Sequence, residues 1–431
     1  MKIKSKTISG AKWTTFSTIS ITLIGLIKLS ILTRFLNKAD FGLMALVTLI
    51  LGFTNLFMDM GLSSAILHKQ KISEKEYASL YWINIAVSLI LFTLITLATP
   101  SIVSFYNQSE LTSLIPIMTT SILLSAIGTQ FKTIEQKQLN FKFIAITDMS
   151  GAFIGLLVGV VTAVKGFGVY ALVYSALTQY IISNGVYFLK GTSSRRLIFH
   201  FKYEETKPFL KIGIYQVGGQ IMNYFNRDLD IVIIGKIFSS DILGGYSLAK
   251  QLVQRPMHII KPIITKVASP ILATMQNNKQ KLKQTFLVFL SITATINFIA
   301  YGILVLLAYP TIEVLYGNKF IDIVLLVQIL SIYMFLRSVG SPIGSLLIAT
   351  GRTDKDLFWN SIVLLVTPVA VYFGAQHSIE YVPLSLLITS LILLYPFWRF
   401  LVFPVCGATS REYFSSFIPR FRKIYFLLNK L

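Results

Sequence analysis

The sequence predicts an all-α polytopic membrane protein, with about twelve transmembrane helices in two parallel six-helix bundles around a central cavity. Three observations predict it. Hydrophobic residues make up 54% of the 431-residue chain and charged residues 13%, where a soluble domain carries roughly 25% charged residues. Apolar runs of about 20 residues, long enough to cross a bilayer, recur along the whole chain. Lysine and arginine gather between alternate runs.

Twelve spans follow in order, at about 14–36, 40–66, 80–106, 111–134, 143–165, 167–189, 208–235, 241–272, 284–310, 322–349, 356–375 and 381–403. With the N-terminus in the cytoplasm, the inner segments hold 26 Lys and Arg and the outer ones 4. A wrong span count would scramble that positive-inside asymmetry. Trp13, Trp82, Trp359 and Trp398 all fall at inner span ends, where an aromatic belt is expected. Both termini are therefore expected in the cytoplasm. The net charge of +21 reflects topology, and nucleic acid is not expected as a partner. The opening MKIKSKTISGAKW lacks the short apolar core and small-residue cleavage site of a removed signal peptide. A single cysteine, Cys406, excludes an intramolecular disulfide framework and a cysteine metal cluster.

The organisation expected is a bundle over 1–189, a cytoplasmic linker over 190–207, a second bundle over 208–403 and a basic tail over 404–431. The linker contains SRRLIFHFKYEE, which suits a connection between halves or an amphipathic interfacial segment. A faint repeat supports two halves. At an offset of 202, TRFLNKADFGLMAL (33–46) aligns with GKIFSSDILGGYSL (235–248), and Gly42 meets Gly244. Six spans per repeat is even, so the halves are expected to be parallel. Outer connections are short and leave little room for an enzyme site on the outer face.

Charges within spans carry the functional signal, because an ionised group at mid-bilayer costs roughly 2.5–3.5 kcal/mol on insertion scales. In the seventh span, Gln216, Gln220, Asn223, Arg227 and Asp230 stand 4, 3, 4 and 3 residues apart, within about 80° of arc on one helix face. A water-lined cavity explains such a stripe; for Arg227 beside Asp228 and Asp230, a packing salt bridge is the competing explanation. The eighth span carries Lys250, Gln251, Gln254, Arg255, His258 and Lys261 over about 140° of arc. That stripe is cationic and suits either a ligand or ion pairs with the aspartates of span seven. Lys28 lies mid-span in the first helix, where Asp59 of the second is a possible partner. Arg337 precedes an expected helix break at GSPIGS. Cations exceed acids, which suits an anionic ligand: one cation 4 Å from a phosphate charge is worth roughly 4 kcal/mol at an effective dielectric near 20. The candidate substrate-binding residues are thus Lys28, Lys250, Arg255, Lys261 and Arg337. Gln216, Gln220, Asn223, Arg227, Gln251, Gln254 and His258 are candidates for the polar lining, and Asp59 and Asp230 for ion coupling. No catalytic constellation, Walker A pattern or metal-ligand set appears, and no cofactor is expected.

Several stretches resemble the Wzx-type polysaccharide flippases. They are KTISGAKW (6–13), DMGLSSAILHKQKIS (59–73), LYWIN (80–84), QFKTIEQKQLNF (130–141), GYSLA (245–249), RPMHIIKPIITKVASPILATMQ (255–276) and LRSVGSPIGSLLIATGRTD (336–354). The resemblance covers about residues 5 to 415 and is nearest to the colanic-acid exporter branch of the multidrug, oligosaccharidyl-lipid and polysaccharide exporter superfamily. It implies two six-helix bundles in the bacterial inner membrane. It implies alternating access for an undecaprenyl-diphosphate-linked oligosaccharide used in O-antigen, capsule or exopolysaccharide assembly. Bilayer lipids, a polysaccharide polymerase and chain-length machinery are the partners it implies. Many relatives carry two further C-terminal spans, which in lipid II flippases line a lipid groove, so the count of twelve leaves the path of the lipid tail open. The charges at 227, 228 and 230 are unusual for the colanic-acid branch. Two other readings compete. An ion-coupled drug exporter of the same superfamily calls for an acidic or aromatic cavity. A membrane polysaccharide polymerase calls for a long outer loop, which the spacing of the spans does not provide.

Overall fold

The computed structural model describes residues 2–58, 61–69, 72–194 and 198–420, without the side chains of 2–8, 68, 194 and 211–216. Among the described residues every expected span is helical and no strand occurs. The helices are α1 (Lys2–Phe35), α2 (Lys38–Met58), α3 (Leu62–His68), α4 (Glu74–Tyr106), α5 (Leu111–Lys137), α6 (Phe141–Val164), α7 (Tyr170–Ser194), α8 (Tyr203–Ile237) and α9 (Ser240–Thr274). They continue as α10 (Lys279–Leu306), α11 (Ala308–Leu315), α12 (Val324–Val339), α13 (Ser341–Ala349), α14 (Thr353–Ala375), α15 (Tyr381–Phe397), α16 (Phe403–Cys406) and α17 (Ser410–Ser415). Nine stretches among the described residues are long and apolar enough to cross a membrane. This is a multi-pass membrane protein. The expected seventh and eighth spans, α8 and α9, and the sixth, α7, are helical but are not among these nine.

Three expected spans are interrupted. The second divides into α2 and α3, and Gly61 before α3 has φ +68°, a left-handed conformation that favours glycine. The ninth ends at Leu306 and resumes as α11. The tenth breaks at Gly340 in the GSPIGS stretch, where α12 ends and α13 begins. By contrast α9 runs unbroken through Pro256, Pro262 and Pro270.

The chain forms two compact units, one of Met1–Tyr224 with Phe238–Gly244, the other of Phe225–Ile237 with Gly245–Leu431. A boundary thus lies inside α8. In the first unit α6 packs on α1 and α7, and α5 on α4 and α7. The α6–α7 seam rests on glycines at four-residue spacing. A Cβ on Gly151 would lie 2.2 Å from Ser183 Oγ, and one on Gly155 2.6 Å from the Ser175 carbonyl oxygen. Small residues in this register let helices approach where lipid gives no hydrophobic drive for association. The expected repeat has a direct structural counterpart in this unit. A Cβ on Gly42 would lie 1.9 Å from the Ser240 carbonyl oxygen, and one on Gly244 1.8 Å from the Lys38 carbonyl oxygen. Both pairs obey the offset of 202, so the starts of α2 and α9 exchange equivalent contacts, as two copies do across a two-fold axis.

In the second unit α12 packs on α10 and α15, and α15 on α14. Leu272, Phe286, Leu290, Leu346, Trp398 and Tyr413 belong to its core. Residues 404–420, expected as the start of a tail, fold onto that core. Trp398 Nε1 donates to the Ala408 carbonyl at 2.8 Å, Lys283 Nζ pairs with Glu412 at 2.8 Å, and the Arg420 amide donates to Thr295 Oγ1 at 3.0 Å. Thr409 and Glu412 form a capping box at the start of α17.

Candidate functional site

The stripe on α8 and the stripe on α9 meet in the second unit. Asp230 is buried, and so is Lys250, 20 residues further on. Lys250 Nζ reaches Asp230 Oδ1 at 2.6 Å and Asp228 Oδ1 at 3.2 Å, and donates to the Arg227 carbonyl at 2.7 Å. Arg227 pairs with the other oxygen of Asp228 through Nη2 at 2.7 Å and Nε at 2.8 Å. Tyr246 Oη donates to Asp230 Oδ2 at 2.6 Å. Each acid therefore has a charged partner, and both oxygens of each are engaged. The buried charges are compensated as low-dielectric burial requires.

The local sequence explains the meeting. Tyr246 stands four residues before Lys250, one turn away on the same face of α9. Asp228 and Asp230 straddle Leu229, so a long lysine stem from the facing helix can reach both. The cavity beside the network is lined by Asn226, Arg227, Asp230, Lys250, Gln254, Tyr333 and Arg337, with Pro368 of α14 and Leu386 of α15. Its volume is about 20 Å³, room for about one water molecule. Arg337 donates to Tyr333 Oη at 3.3 Å, one turn back on α12. Asn226 Nδ2 donates to the Asn360 carbonyl at 2.9 Å.

The other cations of the α9 stripe, and Arg337 of α12, differ from Lys250. Among the described residues, Arg255, Lys261 and Arg337 have no carboxylate within salt-bridge distance. His258 and Lys261 are exposed, while Arg255, Gln251 and Gln254 are half-buried. Gln251 donates to Ser247 Oγ at 3.2 Å.

The remaining candidates lie in the first unit or outside the description. Lys28 Nζ donates to Ser175 Oγ of α7 at 3.3 Å. Gln220 and Asn223 are exposed on α8, and Asn223 donates to the Gly219 carbonyl. Asp59 and the side chain of Gln216 lie outside the described residues. Sequence reasoning missed Tyr246, Tyr333, Asn226 and Asn360. The spacing of four between each tyrosine and the cation that follows it, Tyr246 to Lys250 and Tyr333 to Arg337, was the available signal. No group of three or more His, Cys, Asp or Glu among the described residues is placed to hold a metal ion.

A family described as polysaccharide biosynthesis protein matches residues 31–325. The lipopolysaccharide biosynthesis protein WzxC of Escherichia coli K12 is 30% identical over 421 residues, covering 96% of this chain and 85% of that protein. Among solved structures, the lipid II flippase MurJ in an inward closed conformation superposes with a TM-score of 0.76 at 16% identity, covering 95% of this chain and 90% of that one. An inward-facing multidrug resistance MATE family transporter of the MOP superfamily gives 0.68 at 16% identity, covering 88% and 94%. The two structural likenesses establish the fold.

Proposed function

Because the chain belongs to the family of polysaccharide biosynthesis proteins, we propose that it is a flippase for lipid-linked oligosaccharide. Its substrate is an undecaprenyl-diphosphate-linked repeat unit, moved by alternating access from the cytoplasmic to the outer leaflet of the bacterial inner membrane. The product feeds assembly of a surface polysaccharide, alongside a polymerase and chain-length machinery. Both termini lie in the cytoplasm.

One observation carries this reading: the charge left over in the second unit. Arg227 and Lys250 are matched by Asp228 and Asp230. Arg255, Lys261 and Arg337 form no salt bridge with a described carboxylate; Asp356 acts on Lys261, and Asp228 and Asp230 on Arg337, from farther off, which leaves five cations against three acids. An excess of cations at membrane depth calls for an anionic partner, and a diphosphate is such a partner. Lys250 belongs on this reading to the packing network, where it holds Asp230, and the diphosphate falls to Arg255, Lys261 and Arg337. The amides of Gln251 and Gln254, on the same helix as Arg255 and Lys261, serve the sugar. Asp230 couples an ion only if its pair with Lys250 opens during the cycle.

The test deletes the gene in its host and assigns extracted lipid-linked oligosaccharide to a leaflet. The expected result is accumulation on the cytoplasmic side, relieved by the wild-type gene and not by Arg255→Ala. Full rescue by Arg255→Ala moves the diphosphate site elsewhere. Unchanged surface polymer with no accumulation overturns the flippase and favours the drug exporter.

A further inference from the structure

The connection between α7 and α8 is tied to α4 through its polar atoms. Residues 198–202 form no helix. Trp82 Nε1 of α4 donates to the Ile198 carbonyl at 3.2 Å, and the Lys202 amide donates to Ser79 Oγ at 3.0 Å. Ser79 Oγ in turn donates to Glu205 Oε2 in the first turn of α8, at 2.6 Å. His200 Nε2 lies 3.1 Å from the other oxygen of Glu205. All of these residues belong to the first unit.

The aromatic side chains of the same segment are left uncovered. Phe199 is 90% exposed, more than any other large hydrophobic residue described, and Phe201 and Tyr203 are more than half exposed. The three stand at alternate positions, with His200 and Lys202 between them. A single exposed apolar residue needs no explanation, but a cluster of three aromatics marks an interaction surface.

The surroundings identify what it meets. The Phe199 ring centre lies 4.8 Å from that of Trp82. Trp82 shares a face of α4 with Leu89, seven residues on, and Leu89 is exposed on a helix apolar enough to cross a membrane. That face looks onto lipid. The segment lies beside it, at the end of α4 that the charge pattern of the sequence assigns to the cytoplasm, where aromatic rings sit among headgroups. The connection over 190–207 carries Lys190, Arg195, Arg196, Lys202 and Lys207 against Glu204 and Glu205. Glu205 is already engaged, whereas Lys202 and Lys207 are exposed. Aromatic residues interleaved with basic ones are complementary to an anionic bilayer surface. We propose that residues 198–203 form an anchor for anionic phospholipid of the cytoplasmic leaflet. Phe199, Phe201 and Tyr203 enter the headgroup region, and Lys202 and Lys207 meet the lipid phosphates. Once seated, the anchor holds the start of α8 against α4 through Glu205 and Ser79. It shares the proposed orientation of the chain and is independent of the cargo.

The experiment puts an environment-sensitive fluorophore on the full-length protein in nanodiscs, at Tyr203→Cys. Asn277→Cys, in the exposed turn after α9, serves as the aqueous reference. Cys406 is buried, and the wild-type chain gives its background label. In phosphatidylcholine containing phosphatidylglycerol, the label at 203 should be shielded from iodide and quenched by lipid bearing a nitroxide near its headgroup. The label at 277 should be open to iodide. Omitting phosphatidylglycerol should lower the lipid quenching at 203. Lys202→Gln should lower the ratio of seated to unseated anchor about fivefold. Phe199→Ser with Phe201→Ser should bring iodide access at 203 close to that at 277; the lipid comparison keeps both phenylalanines and decides the matter even where that variant is unstable. Equal iodide access at 203 and 277 without the serine substitutions overturns the proposal. Shielding without nitroxide quenching places protein over the segment and overturns it too. Quenching indifferent to both phosphatidylglycerol and Lys202→Gln reduces the anchor to apolar contact and overturns its anionic partner.

Discussion

At the residue scale, the question is why a bilayer-spanning segment tolerates Arg227, Asp228 and Asp230. Lys250 answers it. Its ammonium is buried with Asp230 and within 3.2 Å of both aspartates, so removing it leaves Asp228 to Arg227 alone and strands the Asp230 carboxylate in a poorly solvated place. Breaking a buried pair from one side typically costs about 3–5 kcal/mol. Lys250→Met should therefore lower thermal stability in detergent sharply, and so should Asp230→Asn by a smaller margin. The double variant should recover part of the loss, because the two residues share one interaction. Additive losses would show that the pair does not hold the helices together. The stripes on α8 and α9 were legible in the sequence because 3.6-residue periodicity is a local property. Which cation was already matched was not legible. That depends on the rotation of one helix against another, and nothing in YFNRDLDIVIIG encodes it.

At the scale of elements, helix existence was legible almost throughout, since hydrophobic length fixes it. Interruptions were less so. The DMGLSS stretch reads as a continuation of an apolar helix, yet the backbone turns left-handed at Gly61. The weak alignment of Gly42 with Gly244 proved more informative than its length suggested. Both glycines face the other helix's backbone, which cannot rotate away as a side chain can. Gly42→Ala and Gly244→Ala should each destabilise the protein or abolish expression, to a similar degree, whereas Gly185→Ala, where a Cβ would meet nothing within 4 Å, should be tolerated. A tolerated Gly244→Ala would mean that the starts of α2 and α9 do not stay in contact. The docking of α17 has a pH dependence of definite sign. Lys283, then the cap with Thr409, holds the Glu412 carboxyl below the usual carboxylate range. A depressed acid contributes its stabilisation in full above the unfolded value of about 4.3. That contribution fades as pH falls through the lower folded value. Glu412→Gln reproduces the protonated state at neutral pH. It should speed thiol labelling of Cys406, which is buried in the same core as Tyr413 of α17. Unchanged labelling would show that α17 stays docked without the ion pair.

At the scale of the whole molecule, charge is sorted twice. Along the sequence, lysine and arginine gather between alternate apolar runs, the pattern by which membrane proteins are oriented. Within the second unit, a salt-bridged set around Lys250 is distinct from Arg255, Lys261 and Arg337, which form no salt bridge with a described carboxylate. The first sorting was legible from loops alone. The second was legible only as an excess of cations, because a sequence shows how many charges there are and not which ones cancel. The excess of cations makes the substrate question one of sign. An anion that binds the folded state raises its apparent stability by about 2.7 kcal/mol at a hundred times its dissociation constant. A polyprenyl or shorter isoprenyl diphosphate should therefore raise the melting temperature of the purified protein. The shift should shrink with each of Arg255→Ala, Lys261→Ala and Arg337→Ala, and should weaken at high salt as screening shortens the reach of the exposed charges. A hydrophobic cation of the kind that drug exporters carry should give no shift, since it would meet like charge. If the cation stabilises and the diphosphate does not, these charges face something other than substrate, and the drug-exporter reading is favoured over the flippase.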